Sequence, residues 1–450
     1  MKSRYSLDMT CGPFFKKIMI FAVPLILTGI LQLAYNTADI VVVGRFVGKE
    51  ALAAVGSTGS LVNLFVNIFL GLSMGSGVMV ARHIGARDDK RVSDCVHTAM
   101  LLSLFCGVLI GIIGFFLSGE MLKLMQVPDD VLDLATLYLK VYFLGSPGLL
   151  TYNFGASVVR ATGDTKRPLV ILALSGAVNV ILNVVLIVAF KFGVEGVAIA
   201  TIISQYLSAI MIVAYLFVIN NSCRLNVKKF RIEKNELKQI LRLGLPAGIQ
   251  SSLFSISNVI IQSSVNSFGS VAMAGIAAGS NYDSYIFTGT NAVSQTAMTF
   301  TSQNIGARKL ENIGRIYRHC LVFASTIGIF LGFIGLIFSE QIVAFFSDDA
   351  GVIQIGAERM RLVMPFFVFC SLMDVTASEI RGMGKSVEPM LVSLIGACGI
   401  RILWVFFILP LDRTLINLYW SYPVSWTVTF FAQFIMFFIL KNRIIKKGEI

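Results

Sequence analysis

Charge is what this 450-residue chain has little of: 14% of its residues are Asp, Glu, Lys or Arg, against 56% hydrophobic, and its mean hydropathy is +0.79. Soluble domains run nearer a quarter charged and about 45–50% apolar, so a soluble globule is excluded. Histidine is scarcer still. His83, His97 and His319 are the whole supply, all near expected helix ends, and no His, Cys and carboxylate cluster has metal-ligand spacing. A Ser-His-Asp constellation has no candidate either. The seven cysteines are an odd number, and Cys95, Cys106, Cys320, Cys370 and Cys398 sit in or beside apolar stretches; they read as small buried residues rather than a disulfide framework. A phosphate-binding loop is missing too: Gly384-Lys385-Ser386 has the right ending, but Glu379 stands where the loop needs its first glycine. No catalytic residue, metal or organic cofactor is therefore expected, and any work done must draw on a gradient.

What the chain does have is long apolar runs. Twelve are long enough to cross about 30 Å of hydrocarbon, beginning with Ile18 to Val43 and ending with Leu418 to Leu440; the fourth is read as Leu134 to Val158 and the tenth as Leu362 to Ile380. The first run is too long for the apolar core of a cleavable signal and is expected to remain as a helix. Of the 37 Lys and Arg, 28 fall on the side of the termini, clustered at Lys16-Lys17, Arg87 to Arg91, Lys228 to Lys238, Arg308 to Arg318 and Lys441 to Lys447. By the positive-inside rule both termini face the cytoplasm, and the expected location is a bacterial inner membrane. The net charge of +12 is thus a topology signal; spread over seven juxtamembrane segments, it speaks against nucleic-acid binding.

The chain is also a duplication. Shifted by 221 residues, Ile84-Gly85-Ala86-Arg87 meets Ile305-Gly306-Ala307-Arg308, and Arg160, Gly163 and Pro168 meet Arg381, Gly384 and Pro389. Gly107, Gly111 and Gly114 superpose on Gly328, Gly332 and Gly335, Gly48 on Gly269 and Ser204 on Ser425, while Pro24 meets Pro246 one residue further out. The glycine faces read as packing surfaces. An even number of helices per half gives both halves the same orientation, hence a parallel repeat. The expected fold is an all-α polytopic membrane protein of twelve helices in two six-helix lobes, 1–219 and 239–450, joined by a polar, basic cytoplasmic linker at 220–238. Two such lobes suit alternating access.

Ionisable and strongly polar side chains inside spans are costly and mark function by default. The first helix carries Gln32, Tyr35, Asn36 and Asp39, its only acid, and Gln32, Asn36 and Asp39 share one face. Asn179 and Asn183 share a face of the fifth helix, and Tyr138 and Asn153 lie in the fourth. Together they outline an N-lobe polar pocket in which Asp39 can exchange a coupling ion. Candidates for substrate contact or a charge network are Gln32 and Tyr35 in the first half and Asp283, Asp374 and Arg401 in the second, with Arg401 pairing with one of the two acids; Glu379, nearer a helix end, is a weaker candidate.

These features resemble the multidrug and toxic compound extrusion (MATE) family. The likeness rests on Pro24, Thr37-Ala38-Asp39-Ile40-Val41-Val42-Val43-Gly44, Arg160-Ala161-Thr162-Gly163-Asp164-Thr165, Gln303-Asn304-Ile305-Gly306-Ala307 and Arg381-Gly382-x-Gly384, in order along the whole chain. The resemblance implies a secondary transporter that exports small organic cations and amphiphiles in exchange for H+ or Na+, working as a monomer among membrane lipids. It places the chain nearer the DinF-like than the NorM-like branch, with Asp39 as the coupling acid. Three departures bear on the ion: Asn183 replaces a second acid, the seventh helix offers Ser255, Ser257 and Asn258 where NorM-like members carry a glutamate, and the spacing of Asp374 to Arg381 differs from that of the DinF-like branch by about a helical turn; they favour protons through Asp39 over a sodium site in the second lobe. A flippase of lipid-linked precursors or an exporter of one metabolite is the alternative. A membrane transferase would need acidic pairs for Mg²⁺, and Asp88-Asp89 is the one such pair.

Overall fold

The computed structural model describes residues 7–125 and 127–447, and every regular element among them is helical. The first half holds α1 (Phe14–Phe46), α2 (Lys49–Gly85), α3 (Asp89–Leu124), α4 (Asp129–Leu144), α5 (Ser146–Ala161), α6 (Lys166–Val184) and α7 (Val194–Val218). The second holds α8 (Lys234–Asn266), α9 (Ser270–Gly306), α10 (Ile313–Ile337), the short α11 (Ser339–Ala344), α12 (Ala350–Val363), α13 (Phe367–Gly382), α14 (Val387–Ser393), α15 (Ile400–Leu403) and α16 (Leu415–Lys447).

Ten of the described segments are long and apolar enough to span a bilayer. Two more complete the twelve. One is α4 with α5, two helices meeting at Gly145, where a Cβ would lie 2.2 Å from the Gln205 side chain of α7. The other is α9, whose Ser, Thr, Asn and Gln content lowers its hydropathy. The tenth span begins earlier than the hydropathy suggests, at Ala350, because Glu358-Arg359-Met360-Arg361 is helical rather than loop.

The repeat is written in backbone conformation. Arg87 and Arg308 take φ of 56° and 57°, and Gly163 and Gly384 take 92° and 90°, each pair 221 residues apart. These left-handed residues end α2 and α9, and α5 and α13, so the duplicated motif preserves what the turns require. The glycine faces are packing surfaces, as expected. A Cβ at Gly107 would meet Pro147 Cα at 2.5 Å, and one at Gly332 would meet the Met364 carbonyl at 2.7 Å.

Packing divides the chain into two compact units. One comprises residues 1–8 and 27–248, the other 9–26 and 249–450. Both α1 and α8 therefore change unit partway along, two residues after Pro24 and after Pro246. A proline inside a helix removes one backbone hydrogen bond and bends the axis, which explains why this pair recurs in the duplication.

Within the first unit, the segment before α8 is tied to α3. The Asn226 N–H donates to His97 Nε2 at 3.0 Å, the Glu233 N–H donates to Thr98 Oγ1 at 3.0 Å, and His97 Nδ1 donates to the Ser93 carbonyl at 2.7 Å. His83 meets Glu236 at 2.9 Å with both side chains buried. These two histidines thus hold chain together. Within the second unit, Asn304 and Lys309 donate to the carbonyls of Met9 and Thr10, each at 2.9 Å, and so hold the residues that lead into α1.

Candidate functional site

The polar face of α1 is docked on α6 by a shape match. The Tyr35 ring occupies the space over Gly176, where a Cβ would come within 1.9 Å of it, and the Tyr35 hydroxyl donates to the Ala173 carbonyl at 3.1 Å. One turn further along α1, this contact brings Asp39 against α6. Asn183 Nδ2 donates to Asp39 Oδ1 at 2.5 Å and lies 3.4 Å from Asn179 Oδ1, while Asn179 Nδ2 reaches Thr201 Oγ1 of α7 at 3.5 Å. Asn183 is fully buried, and its buried Oδ1 has no hydrogen-bond partner among the described residues.

The centre is rich in oxygen and poor in cations. No Lys, Arg or His ion pair to Asp39 occurs among the described residues. A carboxylate oxygen, two amide oxygens and a hydroxyl gather on three helices, and one of the amide oxygens lacks a donor. A proton or a small monovalent cation is the charge such a set can accept. No group of three or more His, Cys, Asp and Glu that could hold a metal ion occurs among the described residues.

The other N-lobe candidates stand at different distances from this centre. Tyr138 is buried, stacks on Tyr142 with ring centroids 6.0 Å apart, and lies within electrostatic reach of Asp39. Asn153 turns back on its own helix, donating to the Leu149 carbonyl at 2.8 Å, and its backbone carbonyl accepts from Ser73. Gln32 and Asn36 are exposed. Tyr142 and Thr201 join the centre without having been singled out in the sequence, where a Tyr four residues after Tyr138 and one Thr among many give no distinguishing signal.

In the second unit the charges pair differently from the expectation. Asp283 is held by Arg359, at 2.6 Å from Nη2 and 3.4 Å from Nη1, and not by Arg401. Arg401 lies instead against aromatic rings, 4.4 Å from Tyr422 and 5.5 Å from Trp426, with Nε donating to Ser425 Oγ at 3.0 Å. Among the described residues Asp374 has no ion pair and its buried Oδ2 has no hydrogen-bond partner, while Arg381, in whose electrostatic reach it lies, donates to Gln250 at 2.6 Å. Glu379 is fully buried and accepts from Thr301 at 2.5 Å. Arg359 was missed because it lies in the charged stretch before Leu362.

Arg359 is 2% exposed, so Asp283→Asn leaves a buried guanidinium without its counter-charge. The expected cost is roughly 3 kcal/mol, read as a lowered melting temperature of the purified protein in detergent. Arg361→Gln, which breaks an exposed pair with Glu340, is the matched control and is expected to melt close to wild type. Equal melting of all three proteins would show that the Asp283 pair contributes no stability.

The family profile described as MatE matches the chain twice, over residues 24–185 and 246–407. The second match starts at Pro246, the partner of Pro24 in the internal repeat. The chain is 26% identical to the probable multidrug resistance protein YoeA of Bacillus subtilis (strain 168), over 92% of this chain and 91% of that protein. It is 22% identical to the multidrug export protein MepA of Staphylococcus aureus (strain MRSA252), over 96% and 95% of the two chains. In fold it is similar to a solved outward-facing multidrug resistance MATE family transporter of the MOP superfamily, with a TM-score of 0.91, 22% identity, and coverage of 99% of this chain and 100% of that one.

Proposed function

The chain belongs to the MatE family, and from that premise we propose that it is a secondary active multidrug efflux transporter, exporting cationic or amphiphilic small organic molecules by antiport against H+ or Na+. The observation that carries the coupling is Asp39: one carboxylate on α1, bonded to Asn183 and without a cationic partner among the described residues. A site that must load and unload a cation in each cycle cannot keep a permanent counter-ion. Asn36, Asn179 and Tyr138 would complete the polar surroundings of that acid, and Asn153 would join them only by giving up its bond to the Leu149 carbonyl.

Lobes at 1–219 and 239–450, joined by 220–238, would alternate in exposing the pathway. The chain would act as a monomer in the bacterial inner membrane with both termini cytoplasmic, as its Lys and Arg distribution supports.

The test is efflux of cationic dyes from cells making the protein, with the proton and sodium gradients collapsed separately. Loss of export on collapsing one gradient, with the other without effect, is the expected result and names the ion. Export that survives collapse of both gradients would overturn antiport. Export of one metabolite or lipid-linked precursor in place of unrelated dyes would overturn the multidrug reading.

A further inference from the structure

The two units build opposite polarity at neighbouring positions of the repeat. Asn36 and Thr201 correspond to Asn258 and Tyr422, at offsets of 222 and 221, and the 221-residue shift sets Arg401 at Val180, next to Asn179. Where the first unit gathers oxygens around Asp39, the second places a guanidinium among Asn258, Ser425, Tyr422 and Trp426. Arg401 is 4% exposed and has no carboxylate within ion-pairing distance among the described residues. Among the described residues the ion pair in its surroundings is half-buried Asp283 with buried Arg359, which spends that acid on a second guanidinium lying 5.8 Å from the same Tyr422 ring. Asp374 is the other acid near the cluster; it and Arg401 both act on Cys370, and Asp374 is also within electrostatic reach of Arg381.

A buried charge kept only for packing is normally matched by an opposite one, because an unmatched ion loses its hydration without compensation. Arg401 retains unused donors. Its Nε is committed to Ser425, its Nη1 reaches Asn258 only at 3.5 Å, and its Nη2 has no acceptor among the described residues. Close by, Arg359 Nε and Tyr419 Oη are buried with no hydrogen-bond partner among the described residues. Arg401 also sits in α15, a four-residue helix between π-helical stretches at Leu394–Gly399 and Trp404–Ile408, and such local widening of a helix commonly accompanies functional sites.

We infer that Arg401, with Tyr422 and Trp426, forms an acceptor site for the anionic group of a planar aromatic amphiphile, a carboxylate taking the open Nη edge while its ring stacks beside the two aromatic side chains. The planar fork of arginine suits a carboxylate bidentately. The cargo would therefore include aromatic acids, or molecules bearing an acid as well as a cation, and discrimination among cargoes would lie in the second unit while ion coupling lies in the first. Only the word cargo rests on the transport reading; binding does not.

The test is equilibrium dialysis of the purified full-length protein in detergent with labelled benzoate and, separately, labelled benzamide, its neutral isostere. Wild type is expected to bind benzoate at least tenfold more tightly than benzamide. Arg401→Met should remove that preference, Arg401→Lys should keep part of it, and Arg361→Gln should leave it intact. A melting curve on each variant ensures that only folded protein is compared; should Arg401→Met fail to fold, the graded loss in Arg401→Lys carries the test. Equal affinity of wild type for the two probes, or a preference undiminished in both Arg401 variants, would overturn the site. Dye efflux by the same wild-type protein is scored independently, so a failure of gradient-driven transport alongside an Arg401-dependent benzoate preference refutes the antiport reading and leaves this one standing.

Discussion

Asp39→Asn is expected to cut gradient-driven export at least tenfold and to make the residue of export indifferent to collapse of either gradient. The substitution is nearly isosteric, so the Tyr35 and Gly176 docking that positions α1 against α6 stays in place. What is lost is the charge and one strong acceptor. The Asn183 amide, which now donates to a carboxylate oxygen at 2.5 Å, would donate to an amide oxygen instead. Exchanging a charge-assisted hydrogen bond for a neutral one costs about 1 kcal/mol, too little to unfold the protein. A transporter that still folds but no longer binds the coupling ion loses the link between gradient and cargo, since coupling is a free energy shared between two bound ligands. The two readouts separate the possibilities. Melting near wild type with export lost supports coupling at Asp39. Melting near wild type with full, gradient-dependent export would remove Asp39 from the mechanism, and a large fall in melting temperature would make it a packing residue.

Much of this centre could be read from residues alone because lipid-spanning sequence is a quiet background. A lone Asp between Ala38 and Ile40, or two Asn four apart in α6, stands out where almost everything else is apolar, and helical spacing then assigns each to a face. The duplication was legible for a related reason: its invariant points include the left-handed turns at Gly163 and Gly384, which tolerate few residues. Rotamer and partner choice were not legible. Nothing in the sequence says that Asn153 spends its amide on Leu149, or that Arg401 prefers the rings of Tyr422 and Trp426, 21 and 25 positions downstream, to an acid. Arg359 was hidden by its neighbours, since Glu358 and Arg361 make the local composition resemble a loop although the helix runs through it.

The same limit hid a close backbone-to-backbone helix contact in the first unit, and Gly71→Ala is expected to expose it by sharply lowering the melting temperature and the yield of folded protein. Gly71 and Gly75 of α2 interlock with Gly244 and Gly248 of α8, each pair four residues apart on one helical face. A Cβ at Gly71 would lie 2.3 Å from Gly248 N and 2.6 Å from both Gly244 O and Gly248 Cα. These are backbone atoms, so no rotamer change relieves the clash and the helices must separate. A Cβ at Gly248 would meet Ile68 O at 2.3 Å, so the approach is equally close from the other side. Overpacking of this kind costs about 1–3 kcal/mol, and more where only backbone can yield, and here it also weakens the neighbouring Gly75 and Gly244 contacts. Position 59 of the same helix supplies the control: a Cβ at Gly59 meets nothing within 4 Å, so Gly59→Ala should be neutral or slightly stabilising through helix propensity. The interlock sits where α8 passes from one unit to the other, after Pro246 and at Gly248. The 221-residue shift places Ala292 and Thr296 opposite Gly71 and Gly75, so this contact is not duplicated and no internal comparison could reveal it. If Gly71→Ala melts with wild type while Gly59→Ala does the same, the close approach of α2 and α8 is not a determinant of stability, and the anchoring of α8 must be sought in the buried His83 and Glu236 pair instead.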